Sequence, residues 1–490
     1  MSDKNSHPYI ILPFDFMRFS KDNLLLVNLV GEYLFVSEDE FKKLVTHDIN
    51  RKSDPLYFIL KAKHFITERI SDPAIELLAV KYRTKKDFLS HFTSLHMVEI
   101  TRRCNQKCIY CQVSSQDPDK SHYDMNIETA RKTVDLIFMS PARSIKIEFQ
   151  GGEPLLNYDI IKYVIEYGEK QASIKNKGVE FVVCTNLTRA TDDMLKYFGD
   201  NNVLISTSLD GPENVHNFAR RYRDGTGTYR DVINSFERAK KYVEPSKISA
   251  LMTTTRYSLI YPDEIINEYV KNEFRSIFVR PLNPFGYSKQ KIDEIGYDSS
   301  EFLIFYKEIL ENTLKTNLKG YFIEESFASL LLTRILTPFS TGFVDLQFPA
   351  GTGISGVMYG YNGNVYLSDE ARMLANMGDY RFCLGNVHKN SYRDIFYSDT
   401  IVNLIRDSCA ESLPGCSDCA FQMYCGIDPV RNYATQNDAI GYRPTNDFCL
   451  INKEIIRHLF EIILKNDLDK MDIFWSWITG RNLSEVRIKA

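Results

Sequence analysis

The chain has 490 residues, of which 44% are hydrophobic and 25% are charged, and its net charge is −4. This composition and length are typical of a globular protein with more than one domain. The slightly negative net charge provides no overall positive potential that would favour binding to nucleic acid or to a membrane surface. The first residues lack a signal pattern, and no apolar run reaches the roughly 18 residues of a spanning helix. We therefore expect a cytoplasmic protein, where ten cysteines favour metal binding over disulfides.

Residues 1–93 are predicted to form a small α+β domain. Two apolar runs, 24–30 and 32–36, flank Gly31 and indicate a β-hairpin. Ser37 is expected to cap a helix over 38–44, because the first turn that follows it is acidic. Strands followed by small helices resemble the winged-helix modules that bind a leader peptide as an added strand in peptide-maturation enzymes. The alternative is a cap that only packs on the next domain.

Residues 94–330 alternate apolar strands with amphipathic helices. The predicted strands are 95–100, 145–149, 179–184, 203–208, 247–253 and 276–279. Helical patterns begin at Ile127 and cover 158–172 and 228–242. Alternating βα units predict an α/β fold with a parallel sheet, open or barrel-like, whose functional loops lie at the carboxyl ends of the strands.

The first of these loops carries Cys104, Cys108 and Cys111. Three thiolates can hold three irons of a 4Fe–4S cluster and leave the fourth iron open to a small molecule. A zinc loop or reduced structural thiols are alternatives, but zinc sites usually have four ligands and no fourth cysteine lies nearby. The CxxxCxxC spacing, with Tyr110 before the last cysteine, resembles the signature of radical S-adenosylmethionine (SAM) enzymes.

Later strand ends carry residues that match the same family in order. The turn Gly151-Gly152-Glu153-Pro154 follows the second strand, and adjacent glycines allow close approach to the backbone. The resemblance implies that this turn, including Glu153, binds the amino group of SAM. Taken alone, each such turn has residues that also occur in an ordinary capped turn with no ligand.

The resemblance assigns the rest of SAM to three further residues. Ser208, in a Ser-Leu-Asp-Gly stretch, and the downstream Arg220 would hold the ribose and the carboxylate. Tyr110 would lie against the adenine. Arg221 is adjacent, so the sequence leaves open which arginine points inward, and Arg280 would serve SAM, the substrate or a surface ion pair.

The same resemblance implies a partial (β/α)6 TIM-like barrel of radical SAM type over 94–330. A Cys-rich extension similar to the SPASM domain follows over 331–450, and a helical tail covers 451–490. The apolar stripe of residues 450–464 is most simply explained by packing.

The second cysteine set lies in this extension and consists of Cys416, Cys419, Cys425 and Cys449. Four thiolates bind either zinc or a complete cluster. SPASM domains normally carry two auxiliary clusters, but the turn after Gly363 ends in Ser368, and Pro429 stands where another cysteine is expected. We therefore predict one auxiliary 4Fe–4S cluster, held by the four cysteines and used as an electron relay.

Three cysteines stay outside both sets. Cys184, Cys383 and Cys409 are expected to be buried thiols with no metal.

Asp369 and Glu370 are the candidates for a catalytic base, because bond formation by radical oxidation releases a proton. They lie in the part of the extension where the family places its inner cluster and substrate pocket. The alternative is an ion pair with Arg372.

Four short stretches narrow the resemblance to the radical SAM maturases of the His-Xaa-Ser peptide system. They are Leu-Pro-Phe at 12–14, Arg-Pro-Leu at 280–282 with Gly286, Ser-Asp-Glu-Ala-Arg-Met at 368–373 and Cys-Ser-Asp-Cys-Ala-Phe at 416–421.

This resemblance implies a reaction and a set of partners. SAM would be cleaved reductively to a 5′-deoxyadenosyl radical, and a side chain of a ribosomally synthesised peptide would be oxidised and cross-linked. The implied partners are a precursor peptide, a flavodoxin- or ferredoxin-type electron donor and a second radical SAM maturase, with no nucleic acid or membrane. The alternatives are a maturase of sulfatases or small metabolites and a non-catalytic metal-binding scaffold for peptides.

Overall fold

The computed structural model describes residues 8–51, 53–69 and 73–487. Residues 1–7 of the predicted N-terminal domain and 488–490 of the predicted tail lie outside the described residues, and so do 52 and 70–72. The domain boundaries stay a prediction.

The N-terminal region contains a three-stranded antiparallel sheet in the order β2-β3-β4 and a separate pairing of β1 with β5. The strands are β1 (Ile10–Ile11), β2 (Phe14–Arg18), β3 (Leu24–Asn28), β4 (Tyr33–Val36) and β5 (Ile66–Thr67). The helices are α1 (Glu38–Val45), α2 (Pro55–Ala62) and α3 (Pro73–Lys85). The predicted hairpin around Gly31 and the helix after Ser37 are both present. The Ser37 hydroxyl accepts from the Glu40 amide at 3.2 Å, and the Glu40 carboxylate accepts from the Ser37 amide at 2.7 Å, which forms a capping box.

The central sheet has ten strands in the order β12-β11-β10-β9-β8-β7-β6-β13-β14-β15. Its parallel centre consists of β6 (Leu95–Thr101), β7 (Ser144–Gly151), β8 (Gly178–Cys184), β9 (Leu204–Ser208), β10 (Ile248–Thr253) and β11 (Ser276–Arg280). The helices that connect these strands are α4 (Ile127–Ile137), α5 (Tyr158–Lys175), α6 (Asp192–Asp200), α7 (Glu213–Ala219), α8 (Tyr229–Ala239) and α9 (Pro262–Lys271). The predicted α/β fold with a six-stranded parallel unit is confirmed.

Alternating side chains explain how this sheet packs. In β7, Ile145, Ile147 and Phe149 are fully buried, whereas the residues between them are polar. Apolar side chains at every second position cover one face of a strand, so the helices pack there and the polar residues line the inside of the partial barrel.

Four further strands extend the sheet at its two edges. β12 (Glu324–Glu325) pairs in parallel with β11, and β13 (Gly356–Tyr359) pairs in parallel with β6. β14 (Asn364–Tyr366) and β15 (Cys383–Asn386) continue as antiparallel strands. The Cys-rich extension therefore begins as a direct continuation of the barrel sheet.

The remaining helices surround the barrel and the cysteines of the extension. They are α10 (Gly286–Gln290), α11 (Ile292–Ile295), α12 (Ser299–Leu318), α13 (Ser326–Leu336), α14 (Asp369–Asn376), α15 (Tyr392–Phe396), α16 (Asp399–Asp407), α17 (Pro429–Gln436), α18 (Asp447–Lys465), α19 (Leu468–Thr479) and α20 (Leu483–Val486). Helix α18 spans the stripe predicted over 450–464. In the described part of the chain, we find no helix with the length and apolar content needed to cross a membrane.

Candidate cofactor and substrate site

A cavity of about 240 Å³ lies where the strands of the parallel sheet end. It is lined by residues from the cysteine loop, the glycine turn, four further strand ends and helix α14. The lining residues used below are Cys104, Gln106, Cys108, Tyr110, Cys111, Gln112, Ser115, Gly151, Gly152, Cys184, Thr207, Ser208, Arg220, Arg280 and Asp369. The cysteine loop and most of the residues predicted from later strand ends therefore meet at one place.

The cysteine loop is held by backbone hydrogen bonds. The Cys104 amide donates to the Gln116 carbonyl at 2.9 Å, and the Cys111 amide donates to the Cys108 carbonyl at 3.1 Å. Burial raises the pKa of Cys108 to about 12 and raises the pKa of Cys104 well above its usual range. Since only thiolates ligate iron, these thiols would lose their protons when the metal binds.

The glycine turn is shaped by the backbone of the cysteine loop. A Cβ atom on Gly151 would lie 2.1 Å from the Thr101 carbonyl oxygen, and one on Gly152 would lie 2.3 Å from the Arg103 carbonyl oxygen. Gly151 also has a φ of +154°. Both positions therefore require glycine for close packing of two backbone segments, while the turn still lines the cavity.

Glu153 is not among the residues that line the cavity. Its Oε1 accepts from the Thr185 hydroxyl at 2.6 Å and from the Leu155 amide at 3.0 Å, and its Oε2 accepts from the Asn186 amide at 2.8 Å. Burial raises the pKa of this carboxyl to about 7. The carboxyl fixes the glycine turn against the end of β8, and its assignment to SAM stays a prediction.

Tyr110, Asp210 and Arg220 form a buried network on one wall. The Tyr110 hydroxyl donates to Asp210 Oδ2 at 2.5 Å, and Arg220 Nε donates to the same oxygen at 3.1 Å. The Arg220 guanidinium lies 5.2 Å from the centre of the Tyr110 ring. Arg221 is exposed and donates to the Asn217 carbonyl, so Arg220 is the arginine that points inward.

Several polar side chains of the cavity have atoms with unsatisfied hydrogen-bonding capacity. Gln106 Nε2, Ser115 Oγ and Thr207 Oγ1 are buried and have no hydrogen-bond partner among the described residues. Buried polar groups of this kind are normally paired, because an unpaired group costs about 1–3 kcal/mol. The cavity is therefore suited to a polar ligand that offers several hydrogen-bonding groups, and the chain fits SAM next to an open iron.

Asp369 lines the main cavity and is held by a buried arginine. Arg372 donates through Nη1 to Glu99 Oε1 at 2.7 Å and through Nη2 to the Asp369 carboxylate. The ion pair considered from the sequence is thus present. It leaves the Asp369 side chain 21% exposed toward the cavity, so Arg372 orients the carboxylate without covering it.

Glu370 faces a second, smaller cavity of about 100 Å³, together with Asp345 and Asp428. Burial, followed by the charges of Asp428, Asp345 and Asp369, raises the pKa of Glu370 to about 8. Sequence reasoning did not find Asp345 or Asp428, because they come from segments far from Glu370 along the chain. The N-terminal position of Asp428 on α17, just before Pro429, was the available signal.

Cys184 also lines the main cavity, although the sequence suggested an isolated buried thiol. It is the last residue of β8, and its sulfur donates to Glu148 Oε1 at 3.3 Å. The carboxyl end of a parallel strand was the signal that placed it there.

The second cysteine set surrounds a cavity of about 40 Å³ that Cys416, Cys419, Cys425 and Cys449 all line. Arg443 Nε lies 3.0 Å from Cys416 Sγ, where it would stabilise a thiolate. In residues 8–51, 53–69 and 73–487, no three His, Cys, Asp or Glu side chains converge on a point that one metal ion could occupy. The four sulfurs thus border a space instead of meeting at a point.

Two positions that depart from the two-cluster pattern have local structural roles. The Ser368 hydroxyl accepts from the Ala371 amide at 3.2 Å and caps α14. Pro429 is the first residue of α17, a position that proline favours.

The comparisons with known sequences agree with this geometry. The sequence profile of the Radical SAM superfamily matches residues 98–268. An uncharacterised protein of Methanocaldococcus jannaschii is 28% identical over 38% of this chain, and the chain spans 62% of that relative. A cysteine-type anaerobic sulfatase-maturating enzyme of Clostridium novyi is 23% identical over 67% of this chain and 85% of its own length.

Solved structures show the same fold. The structure of native anSMEcpe with bound AdoMet and Kp18Cys peptide superposes with a TM-score of 0.64 at 21% identity, over 76% of this chain and 98% of that one. Streptococcus suis SuiB bound to precursor peptide SuiA superposes with a TM-score of 0.52 at 14% identity, over 89% of this chain and 99% of that one.

SAM and a 4Fe–4S cluster are the typical cofactors of this superfamily, and the Cys-rich C-terminal region is consistent with an auxiliary cluster. Residues 98–268 match the Radical SAM superfamily, the chain is similar in sequence to anaerobic sulfatase-maturating enzymes, and it shares the α/β fold of the anSMEcpe and SuiB structures; the sequence relationships point to an enzyme.

Proposed function

We propose that this chain is a radical SAM peptide maturase of the His-Xaa-Ser type, which oxidises and cross-links a side chain of a ribosomally synthesised peptide. The observation that carries the proposal is the single cavity that Cys104, Cys108, Cys111 and Asp369 all line. A radical source and a proton acceptor that line one cavity are what an oxidative C–H reaction needs.

Each predicted residue has a defined task in this proposal. The three cysteines hold the cluster that binds SAM, and cluster and SAM together supply a carbon radical able to remove hydrogen from an unactivated C–H bond. Ser208, Arg220 and the Gly151–Gly152 backbone bind SAM, and Glu153 holds that turn in place. Tyr110 lies against the adenine.

Asp369 accepts the proton that the oxidation releases, with Arg372 fixing its orientation. Glu370 is the alternative base. Its raised pKa of about 8 means that it must first lose its own proton, so it accepts a proton from the reaction only above about pH 8.

The outer parts of the chain are assigned to substrate and electron handling. Cys416, Cys419, Cys425 and Cys449 hold one auxiliary cluster that relays electrons. The region before residue 94 binds the leader of the precursor peptide, and β2 offers a strand edge for this purpose because, among the described residues, it pairs on one side only. The electron donor is a flavodoxin or a ferredoxin. The protein acts in the cytoplasm, alongside a second radical SAM maturase.

Anaerobic cleavage of SAM tests the catalytic core. The iron-loaded protein, reduced with dithionite and given SAM, is expected to form 5′-deoxyadenosine, which mass spectrometry quantifies. The Cys104→Ala/Cys108→Ala/Cys111→Ala variant should form none, whereas Cys409→Ala should match the wild type. No 5′-deoxyadenosine from the iron-loaded wild type would overturn the proposal and favour a non-catalytic scaffold.

Metal analysis of the same samples tests the second site. About eight irons per chain fit two clusters, and about four irons with one zinc fit a structural zinc site. The triple cysteine variant should retain about four irons in the first case and only the zinc in the second.

A second candidate function is the maturation of a sulfatase. The match to the Clostridium novyi enzyme, which extends over 67% of the chain, favours it. Co-expression with a His-Xaa-Ser peptide and, separately, with a sulfatase-derived peptide that contains cysteine or serine distinguishes the two. A loss of two mass units from the first peptide supports the proposal, and modification of the second peptide alone supports sulfatase maturation.

A further inference from the structure

The second cavity adjoins the first and is open to solvent. Gln112 and Arg280 line both cavities. Asp345 and Arg280 are solvent-accessible residues of the smaller cavity. The main cavity, lined by Cys104, Cys108 and Cys111, is the radical chamber of the proposed reaction. A peptide that reaches the radical chamber from this side would pass directly over the carboxylates of the smaller cavity.

Three carboxylates from three separate segments meet in this smaller cavity. Asp345 lies on a short turn before β13, Glu370 lies in the first turn of α14, and Asp428 caps α17 by accepting from the Arg431 amide at 2.9 Å. Burial raises the pKa of Glu370 and Asp428, and repulsion by Asp345 contributes for both. A bound cation would relieve this repulsion.

The two arginines of the cavity offset the charge of these acids only in part, although both act on Asp345 and Arg431 also acts on Asp428. Arg431 donates to Asp447 Oδ2 at 2.8 Å and to the Asn283 side chain. The Arg280 guanidinium lies 4.8 Å from the centre of the Phe278 ring, on the border with the radical chamber. The three acids therefore outnumber the two arginines, one of which is already paired with Asp447.

A buried amide adds a second and independent indication of a ligand. Asn452 is 4% exposed and lines the cavity, and its Nδ2 has no hydrogen-bond partner among the described residues. An amide N–H donates only to an acceptor, such as a carbonyl oxygen. A cation alone would therefore satisfy the carboxylates and leave Asn452 unpaired.

The walls of the cavity are aromatic and suit the apolar stem of a side chain. The aromatic lining residues are Phe278, Phe302, Phe327, Phe343 and Phe448. Aromatic faces attract ammonium and guanidinium groups, and they pack against methylene groups.

We propose that this cavity binds a basic residue of the substrate peptide, with its ammonium or guanidinium group on Asp345, Glu370 and Asp428 and its backbone carbonyl on Asn452. The inference rests on the proposed function and deepens it by assigning a side-chain class to the residue held beside the radical chamber. A metal ion is not the ligand that this arrangement fits, because among the described residues no three such side chains converge on one point.

Binding of small model compounds to the iron-loaded full chain tests the proposal. N-acetyl-lysine methylamide and N-acetyl-arginine methylamide are the probes, and the norleucine and glutamate analogues are the matched controls. Calorimetry or saturation-transfer NMR is expected to show binding of the two basic probes at least about 10-fold tighter than of the norleucine analogue. Equal or tighter binding of the norleucine or glutamate analogue would overturn the inference.

Substitutions locate the site and separate its two contacts. Asp345→Asn and Asp428→Asn keep the side-chain shape, and asparagine still caps a helix, so each is expected to fold and to weaken lysine-probe binding about 10-fold or more. The exposed Glu264→Gln change is the control and should leave binding unchanged. Asn452→Leu should weaken the lysine probe, but not n-butylamine, which has no carbonyl; an equal loss for both would refute the backbone contact.

The outcome is separable from that of the proposed function, because SAM cleavage is measured on the same wild-type preparation. Formation of 5′-deoxyadenosine with no preference for basic probes would overturn this inference alone. A preference for basic probes without 5′-deoxyadenosine would overturn the maturase and leave the basic-residue site intact.

Discussion

At the scale of single residues, the neighbouring acids Asp369 and Glu370 face different cavities. Asp369 lines the radical chamber and is bound by Arg372, whereas Glu370 turns into the smaller cavity with two other carboxylates. Adjacent residues at the start of a helix point about 100° apart, so one turn of α14 serves two chambers. Substitutions of the two acids are therefore expected to have different effects on the reaction.

Asp369→Asn is expected to reduce the yield of modified peptide by at least about 100-fold, the usual contribution of a positioned base. Formation of 5′-deoxyadenosine should continue, because the substitution leaves the cysteine loop intact. Both products are measured by mass spectrometry in one reaction. Glu370→Gln is the comparison, and a yield of modified peptide from Asp369→Asn that stays close to that of the wild type would show that Asp369 is not the base.

The predictable residues are those whose partners are close in the sequence or whose position follows from the fold. Cys104, Cys108 and Cys111 form one short motif, and Ser208 ends a predicted strand, so the sequence alone brought them together. Asp345, Asp428 and Asn452 meet Glu370 only through the packing of distant segments. No local sequence pattern indicates such contacts, because each of these residues has the sequence context of an ordinary helix cap or surface residue.

At the scale of elements, the six central strands were predictable because each is an apolar run followed by a helical pattern. The pairing of β13 with β6 was not, since it joins residues 356–359 to residues 95–98 and neither segment indicates its partner. β13 is a four-residue strand that is buried throughout, and a short apolar run does not distinguish a strand from a helix.

The junction of β12 and α13 contains a buried carboxyl with a predictable pH effect. Glu325 is fully buried and accepts from the Ala328 amide at 2.7 Å and from the Tyr306 hydroxyl. Burial raises its pKa from 4.5 to about 7. Between pH 4.5 and 7 the folded chain therefore holds a proton that the unfolded chain releases, so stability falls as the pH rises, by about 3 kcal/mol at most.

Glu325→Gln should remove this part of the pH dependence. The Tm of the wild-type apoprotein is expected to fall between pH 5 and pH 8, and the Tm of the variant should fall less, with the remaining slope due to groups such as Glu153. Calorimetry at matched ionic strength measures both. Glu308→Gln, on the exposed face of α12, is the control, and equal slopes for wild type and Glu325→Gln would contradict the assignment.

At the scale of the whole molecule, the N-terminal sheet docks on the second cysteine region through one aromatic cluster. Phe460 of α18 is fully buried, and its ring centre lies 5.0 Å from that of Tyr33 and 6.1 Å from that of Phe35. Phe460 also contacts Phe421 and Tyr424, and the Tyr424 hydroxyl donates to the Gly31 carbonyl at 2.9 Å. The amphipathic pattern of α18 predicted packing, but the partner was not predictable from the sequence.

Phe460→Ala is expected to loosen this docking, since truncating a buried phenylalanine costs about 3–5 kcal/mol. The segment around Leu89 and Ser90, already exposed, should then be cut faster by chymotrypsin, and an N-terminal fragment of about 90 residues should accumulate. Phe339→Ala, at a side chain that is 61% exposed, is the matched control and should digest like the wild type.

The same variant tests whether docking supports the second cysteine site. Phe421 and Tyr424 lie between Cys419 and Cys425, so loss of Phe460 should loosen the segment that carries both cysteines. We expect the iron content of Phe460→Ala to fall toward about four per chain, the content of one cluster, while the electron paramagnetic resonance signal of the reduced SAM-binding cluster persists. If proteolysis accelerates and the iron content stays that of the wild type, the cysteine region folds independently of the N-terminal sheet. If neither changes, the aromatic cluster does not hold the two regions together.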